Sequence, residues 1–333
     1  MSLKRVYILI LNWNGWGDTI ECLESVFRLD YPHFRVIVCD NASGDGSIDK
    51  ITAWAEGRLN INVPVTHQLR GLSFPPVSKP VGYVRYDRSA AERGGDTSDE
   101  SDLVLIETGA NLGFAGGNNV GLRYALARND FDFAWLLNND TVVRPDAISF
   151  MVQRMELRPG AGMCGSTVLL YNDPTMIWAL GGATIKPWLA CFAGIVERER
   201  YPYLGMTEDD IEAKLDYLVG ASMLVSVAFI RNIGLMCEDY FLYFEEPDWA
   251  MRGRGRYTLA YAEKSIVHHK VGVSTAMYDT SGSSTAASFL FRNYLRFTAR
   301  FFPFTLPIMA LKVFFKYIEY RYKKWRNPET KLS

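Results

Sequence analysis

The amino-terminal part of the chain alternates apolar runs with polar turns and segments of helical spacing. The largely apolar runs 6–11 and 34–39 are typical of strands in a sheet that is covered on both faces. Between them, Ile20, Leu23 and Phe27 recur at the spacing of one helix face. The repeated order of strand, loop and helix predicts parallel βαβ units and therefore an α/β fold.

The same pattern returns after an irregular stretch. Strands are predicted at 103–106 and 133–137, and helices at 120–127 and 146–158. From 64 to 102 the periodicity is lost in a segment rich in proline, glycine and acidic residues, which predicts an exposed insertion that is mobile or disordered. The second half is less regular, with strands predicted at 162–170, 177–185, 218–227 and 257–261. We therefore predict one domain over residues 1–285 that contains the 64–102 insertion.

The carboxyl-terminal segment 286–333 differs from the rest in charge. It has ten Lys and Arg residues against two acids, a net charge of +8, in a chain of 333 residues whose total is −1. A basic tail on an acidic body predicts an anionic surface as partner. Its many aromatic residues favour a membrane surface, contacted through 289–326, over nucleic acid. The alternative is a helical extension that packs on the core or on a second subunit, as in a homodimer.

Other features bear on the compartment. The five cysteines are widely spaced without a CxxC pair, which favours buried thiols in a reducing compartment. The amino terminus runs straight into a strand pattern without a signal peptide. The longest apolar stretch of the tail, 301–311, contains two prolines and is shorter than the roughly 20 residues that span a bilayer. We expect a cytoplasmic protein that lies peripherally on the inner face of the cell membrane.

Candidate ligand-binding residues follow two of the predicted strands. Asp40 ends the second strand, and the turn 138–140, Asn-Asn-Asp, ends the strand around Trp135. Ligands of open α/β sheets bind at the carboxyl ends of the strands. Since Mg²⁺ and Mn²⁺ prefer oxygen ligands, Asp140 is a candidate for holding a divalent cation against a diphosphate. The alternative for both acids is a cap or a turn without a ligand.

Of two polar loops in the amino-terminal half, one has a composition that suits a nucleotide. The segment 111–119 is rich in glycine and asparagine and precedes a predicted helix, so its backbone and the helix amino terminus favour an anion. The segment 12–18 lacks the glycine spacing of dinucleotide-binding folds. The alternative is a loop that needs glycine only for its own conformation.

Acids and histidines in the second half provide candidates for catalysis. Glu245, Glu246 and Asp248 lie within a run of aromatic residues. Crowding and burial beside apolar rings should raise their pKa values, which suits a general base. The alternative is a helix amino terminus that attracts acids. The pair His268 and His269 follows a predicted strand and can complete a cation site, or can serve as structural hydrogen-bonding groups.

Six segments, taken in order, resemble the family 2 glycosyltransferases with the GT-A fold, in particular the rhamnosyltransferase-like branch. The resemblance covers about residues 4–300 and rests on the segments 12–15, 39–47, 111–119, 137–141, 241–248 and 267–269. It implies a Rossmann-like, mostly parallel central sheet with helices on both faces, followed by a carboxyl-terminal helical extension. Residues 286–333 form that extension in this interpretation.

The resemblance also implies roles for individual residues. Glu246 would be the catalytic base. From its place beside Glu246, Asp248 is a candidate for orienting the acceptor or Arg252. Asp140 would bind the cation, Mg²⁺ or Mn²⁺, and His268 would be a second metal ligand. The nucleotide would be contacted by polar and glycine residues of the loops, namely Asn12, Asn14, Asp40, Asn41, Asn111, Gly113, Asn118, Asn138 and Asn139.

The implied reaction is an inverting transfer of a hexose, with rhamnose as a candidate, to a hydroxyl of a glycan or lipid-linked saccharide. The donor would be a dTDP- or UDP-sugar, and the product would belong to cell-surface polysaccharide biosynthesis. Two alternatives remain at this stage. A nucleotidyltransferase would carry basic residues in the loop after the first strand, and 12–18 has none. A catalytically degenerate nucleotide-sugar-binding relative would lack an essential acid, whereas Asp40, Asp140 and Glu246 are all present.

Overall fold

The computed structural model describes residues 3–189, 191–196, 199–271 and 284–326. The strands are β1 Val6–Asn12, β2 Phe34–Asp40, β3 Tyr83–Asp87, β4 Leu103–Glu107, β5 Phe133–Asn138, β6 Thr141–Val143, β7 Ala161–Leu170, β8 Ile177–Leu180, β9 Gly182–Lys186, β10 Cys191–Gly194, β11 Tyr217–Leu218, β12 Ser222–Ser226 and β13 Thr258–His269. The helices are α1 Trp16–Val26, α2 Ser47–Ala55, α3 Arg70–Ser73, α4 Arg88–Glu92, α5 Gly113–Arg128, α6 Ala147–Leu157, α7 Glu208–Glu212, α8 Val227–Ile233, α9 Glu245–Gly253, α10 Ser284–Phe301 and α11 Leu306–Arg326.

The amino-terminal half forms a parallel sheet in the order β5, β1, β2, β4, β3. The register pairs Asn12 with Asp40 and Leu11 with Asn138, so these strands end at one common edge. β12 then runs antiparallel between β5 and β7, and the sheet continues through β8, β9 and β10. The predicted α/β class is therefore confirmed, with an antiparallel part appended to the parallel strands.

Helices cover both faces of the sheet, because alternate residues of each strand point to opposite sides. Val6, Ile8 and Ile10 of β1 belong to a core that includes Leu23 of α1 and Trp54 of α2. On the other face, buried side chains of β1 and β2 pack with α5, α8 and α9, namely Tyr7, Leu9, Ile37, Tyr124, Phe229 and Trp249. The continuous apolar runs of the sequence reflect this burial on both sides.

The glycine- and asparagine-rich segment is largely helical, which corrects the prediction of a loop over 111–119. α5 begins at Gly113, well before the predicted start at residue 120. A Cβ on Gly117 would clash with Leu11, and one on Gly121 would press against Cys39 and Leu9. These glycines let the helix approach the sheet closely, and they are not needed for loop flexibility.

The segment 64–102 contains more regular structure than its composition predicts. β3 pairs in parallel with β4 along five residues and forms the edge of the sheet. Glu24 of α1 accepts hydrogen bonds from the Val77 N–H and the Trp54 indole, and Lys79 lies over the Trp54 ring. Periodicity is weak here because an edge strand and short turns bury few residues, so the sequence shows no amphipathic pattern.

The two carboxyl-terminal helices differ in their surroundings. α10 packs on the body of the protein, with Phe297 buried against Phe192 and Phe244. α11 and the turn before it expose large apolar side chains, namely Phe304, Ile308, Leu311, Phe314, Phe315, Tyr317 and Ile318. The side chains of 319–326, the last part of the predicted membrane contact 289–326, lie outside the described residues, as do residues 327–333. Within the described residues, no helix combines the length and hydrophobicity needed to cross a bilayer.

Candidate active site

The carboxyl ends of β1 and β2 are joined by a buried network around Asp40. Its Oδ1 accepts hydrogen bonds from Asn12 Nδ2 at 2.7 Å and from Ser43 Oγ at 2.6 Å, and its Oδ2 accepts from the Ser43 N–H at 3.0 Å. The Thr19 hydroxyl donates to Asn12 Oδ1 at 2.7 Å. The Asn12 side chain is thus fully used in orienting Asp40, a supporting role, while Asp40 faces the edge where ligands of such sheets bind.

The loop after β1 is held by Asn14, which adopts a left-handed φ of 51°. Its side-chain oxygen accepts from the Gly44 N–H at 2.7 Å, and its own N–H donates to Ser43 Oγ at 2.8 Å. Asparagine tolerates this backbone conformation better than most residues. Asn14 therefore fixes the two loops around Asp40 to each other.

Asn41 links the end of β2 to the start of α5. Its amide donates to Asn111 Oδ1 at 3.0 Å and to the Gly113 carbonyl at 3.1 Å, and its oxygen accepts from the Leu112 N–H at 3.0 Å. Asn118 lies within α5, where its amide donates to the Phe114 carbonyl at 3.0 Å. Of these predicted nucleotide contacts, Asn41, Asn111 and Gly113 meet at one point, and Asn118 is buried in its own helix.

The turn after β5 brings Asp140 to the end of β13. Asp140 Oδ1 and His269 Nε2 lie 3.1 Å apart, yet both atoms are buried without a hydrogen-bond partner. The indole of Trp178 contacts the His269 ring edge-on at 4.9 Å between centroids. A carboxylate oxygen and an imidazole nitrogen left unpartnered in this way fit a divalent cation that both would ligate.

His268, the predicted metal ligand, does not contact Asp140, and this part of the prediction is corrected to His269. β13 pairs His268 with Val142 and His269 with Thr141, and neighbouring residues of a strand point to opposite faces. Burial lowers the pKa of His268 to about 4, so its ring is neutral near pH 7. Within the described residues, no group of three or more His, Cys, Asp or Glu side chains is arranged to hold a metal. The groups brought together here are the Asp140 carboxylate and the His269 imidazole.

The two asparagines of the same turn have different surroundings. Asn139 donates to Thr19 Oγ1 at 3.1 Å and so joins the turn to α1. The backbone N–H of Asn138 donates to the Ala221 carbonyl at 3.1 Å, and its side chain is half-buried at the sheet edge. Asn139 is thus a structural residue of the site, and Asn138 lies at the edge beside Asp140.

Glu246 lies in the first turn of α9, where the helix dipole favours negative charge. Burial raises the pKa of Glu246 to about 7, which places it near the pH at which a general base works best. Its neighbour Glu245 is buried, and burial together with the charge of Glu246 raises the Glu245 pKa as well. A Cβ on Gly220 would clash with Glu246 Oε1, so the glycine makes room for this carboxylate.

Asp248 is enclosed, which corrects its predicted role of orienting an acceptor. Its exposure is 0%, and it lies 2.7 Å from Arg252 and 2.7 Å from Arg300, with the Tyr240 hydroxyl donating at 3.2 Å. A carboxylate between two guanidinium groups is fully paired and closed to substrate. The predicted contact with Arg252 is present. Asp248 is a structural residue that joins α9 to α10.

The segment before Glu246 touches the start of α5. The Phe114 N–H donates to the Phe241 carbonyl at 2.7 Å, and Gly113, at a φ of 72°, leaves no room there for a Cβ. Asn119 reinforces this junction, since its amide donates to the Met236 carbonyl and to Glu238, each at 2.9 Å. The predicted nucleotide loop and the predicted base segment are therefore one connected unit.

Sequence reasoning missed three residues of this site. His269 was not chosen as the metal ligand, because only the pairing of β13 with β6 decides which of the two adjacent histidines meets Asp140. Gly220 stands in an apolar stretch and carries no local signal of its contact with Glu246. Asn119 belonged to the noted segment but was not assigned a role, because its partners lie more than 100 residues along the chain.

Comparison with known proteins connects this geometry to a family. Residues 7–73 match the family model described as Glycosyl transferase family 2. The low-salt glycan biosynthesis hexosyltransferase Agl10 of Haloferax volcanii is 24% identical over 186 residues, covering 54% of this chain and 56% of the relative. The match thus spans little more than half the length of that protein. These similarities support the family 2 assignment and do not identify a branch within it.

Solved structures show the fold. The mannosyltransferase PcManGT from Pyrobaculum calidifontis, in complex with GDP-Man and Mn²⁺, has a TM-score of 0.54 at 14% identity and covers 94% of this chain and 70% of that one. GalNAc-T7 with UDP, GalNAc and Mn²⁺ has a TM-score of 0.51 at 12% identity, covering 80% of this chain and 44% of that one. At these identities the likeness concerns the fold alone, and the predicted GT-A fold is confirmed.

Proposed function

We propose that the protein is a family 2 glycosyltransferase that moves a hexose from a nucleoside-diphosphate sugar to an acceptor hydroxyl with inversion. The observation that carries the proposal is the unpartnered pair Asp140 Oδ1 and His269 Nε2 at the sheet edge that also holds Asp40. A relative is a hexosyltransferase of glycan biosynthesis, and two proteins of the same fold were solved with Mn²⁺ and nucleotide or nucleotide-sugar.

Asp140 and His269 would hold Mg²⁺ or Mn²⁺, with the donor diphosphate and water completing the coordination. A cation bound there neutralises the charge that develops on the leaving nucleoside diphosphate. Asp40, oriented by Asn12 and Ser43, would accept hydrogen bonds from the nucleoside. Asn138 lies at the same edge and would contact the donor.

Glu246 would remove the proton of the acceptor hydroxyl as that oxygen attacks the anomeric carbon. A carboxylate with a pKa near 7 is ionised in part at neutral pH and accepts a proton readily in the transition state. One displacement by a hydroxyl from the side opposite the leaving group inverts the anomeric configuration.

The metal site is tested by His269→Ala and Asp140→Ala against a matched control, His268→Ala. In isothermal titration with Mn²⁺, we expect the affinity of the first two variants for nucleotide-sugars to fall by at least about tenfold, as for loss of a metal ligand. His268→Ala, on the opposite face of β13, should retain cation-dependent binding. Equal donor affinity of wild type and His269→Ala, with Mn²⁺ and with EDTA, would overturn this assignment.

The donor and the sugar are tested by a panel of UDP-, dTDP- and GDP-sugars with Mg²⁺ or Mn²⁺. We propose a dTDP- or UDP-sugar, with rhamnose as the first candidate, and a glycan or lipid-linked acceptor of cell-surface polysaccharide synthesis. A matching donor should bind in titration and be hydrolysed slowly without acceptor. If no nucleotide-sugar binds or turns over under any of these conditions, the proposed activity is wrong.

We further propose that α11 contacts an anionic membrane surface. Phe314 and Phe315 are more than half exposed, and basic residues flank them in the sequence. Phe314→Ser with Phe315→Ser should reduce co-sedimentation with vesicles that contain anionic phospholipid. Leu204→Ser, which changes a still more exposed apolar residue elsewhere, is the control. Unchanged vesicle binding with a change from dimer to monomer would assign α11 to a subunit interface.

A further inference from the structure

The segment that leads into Glu246 has an unusual backbone. Phe241, Tyr243 and Phe244 have φ values of 64°, 69° and 78°, a region that residues with a side chain rarely adopt. Such conformations persist only where surrounding contacts hold them. Since Phe244 directly precedes the first turn of α9, the position of Glu246 depends on those contacts.

One side chain of α10 contacts three carbonyls of this segment. Asn293 Nδ2 lies 2.7 Å from the Tyr240 carbonyl, 2.8 Å from that of Leu242 and 3.1 Å from that of Tyr243. Asn293 is fully buried. An amide group has two hydrogens to donate, so the three carbonyls share them. The Tyr240 carbonyl also accepts from the Leu242 N–H at 2.8 Å and from Arg292 at 3.2 Å. Loss of the amide would therefore chiefly remove a donor from the carbonyls of Leu242 and Tyr243.

The same face of α10 also holds the helix that carries Glu246. Arg300 is seven residues, about two helical turns, after Asn293, and its Nη1 lies 2.7 Å from Asp248 of α9. Between them, Phe297 packs against Phe244 at 5.5 Å between ring centroids. α10 therefore contacts the chain on both sides of Glu246, in the segment before it and at Asp248 after it.

We infer that Asn293 is a positioning residue for the catalytic base: its amide fixes the 240–244 segment so that Glu246 faces the acceptor. This inference rests on the proposed role of Glu246. It assigns the aromatic and basic tail two separate tasks, because α10 belongs to the active site and only α11 remains free for a surface contact. If Asn293 merely supports folding, its replacement should not act on turnover through Glu246.

The test compares Asn293→Leu, which keeps the approximate shape and removes the donors, with Thr298→Val, which removes a buried hydroxyl from the same helix. Hydrogen exchange, followed by mass spectrometry on the full chain, should be faster over residues 240–246 in Asn293→Leu and unchanged there in Thr298→Val. Turnover of Asn293→Leu should fall about 10- to 100-fold, as expected for a misplaced catalytic group. Its affinity for the nucleotide-sugar should fall much less than its turnover, since Asn293 does not contact Asp40 or Asp140.

Combination with Glu246→Gln distinguishes positioning from general damage. If Asn293 acts through Glu246, the double variant Glu246→Gln, Asn293→Leu should retain the residual turnover of Glu246→Gln alone. A further loss in the double variant, or unchanged exchange over 240–246, would overturn the inference. Faster exchange with wild-type turnover would overturn it as well. An inactive wild type would instead refute the proposed function, and the exchange measurement would still decide whether Asn293 holds the segment.

Discussion

Replacement of Glu246 by Gln should sharply reduce turnover and, above neutral pH, stabilise the protein. The expected loss of activity is about 10²- to 10⁴-fold, the usual contribution of a general base. The gain in stability has a separate cause. Burial raises the pKa of Glu246 from 4.5 to about 7, so ionising this carboxyl is harder in the folded chain than in the unfolded one.

The raised pKa determines how the free energy of unfolding changes with pH and over which pH range. Below pH 4.5 the carboxyl is protonated in both states and does not affect the free energy of unfolding. Between pH 4.5 and 7 the unfolded state releases its proton first, and stability falls as the pH rises. Above pH 7 the raised pKa lowers the free energy of unfolding of wild type by roughly 3 kcal/mol. Glutamine does not ionise and so does not cause this loss. At about 2 °C per kcal/mol for a chain of this size, the variant should melt about 6 °C higher at pH 8.5.

Thermal unfolding of both proteins from pH 5 to pH 8.5 provides the measurement. The two melting temperatures should be close at pH 5 and diverge as the pH rises. Glu238→Gln is a control whose stability should change in the opposite direction. Hydrogen bonds from Asn119 and Arg123 outweigh the effect of burial and lower the Glu238 pKa. This variant should therefore lose stability near neutral pH. A Glu246→Gln variant that is no more stable at pH 8.5 than wild type would refute the reasoning about burial.

Three further substitutions separate structural from chemical roles. Gly113→Ala should cost at least about 2 kcal/mol in urea unfolding, because a left-handed backbone and the Phe241 carbonyl leave no room for a methyl group. Gly220→Ala keeps an ordinary backbone but displaces the Glu246 carboxylate, so turnover should fall about 10²-fold with little change in melting temperature. Asp248→Asn should lower stability by roughly 3 kcal/mol, since the buried carboxylate no longer pairs with Arg252 and Arg300, while nucleotide-sugar affinity measured by titration persists.

The sheet edge was predictable because its determinants are local. Each strand is a short apolar run, and the polar residue that follows it lies at the carboxyl end whatever the rest of the chain does. Parallel pairing then brings Asn12, Asp40 and Asn138 to one edge. The same logic identified Asp140, which follows β5.

Choices between neighbouring residues were not predictable from composition. His268 and His269 are chemically identical, and only the pairing of β13 with β6 decides which ring meets Asp140. Asp248 carries the same charge as Glu246, but Arg300, 52 residues later, neutralises it. Such partners become visible only when the chain is folded, because no local pattern records them.

The carboxyl-terminal tail shows why average composition is a weak guide to function. α10 and α11 are both aromatic and basic, so the sequence suggested one common role on a membrane. In α10, Asn293, Phe297 and Arg300 share one face and each meets a matching group: backbone carbonyls, an aromatic cluster and a buried carboxylate. In α11, Phe314 and Phe315 remain exposed. The two helices differ in whether a few regularly spaced residues meet groups on the body of the protein. This difference divides the tail into α10, which supports the proposed active site, and α11, a helix at the surface.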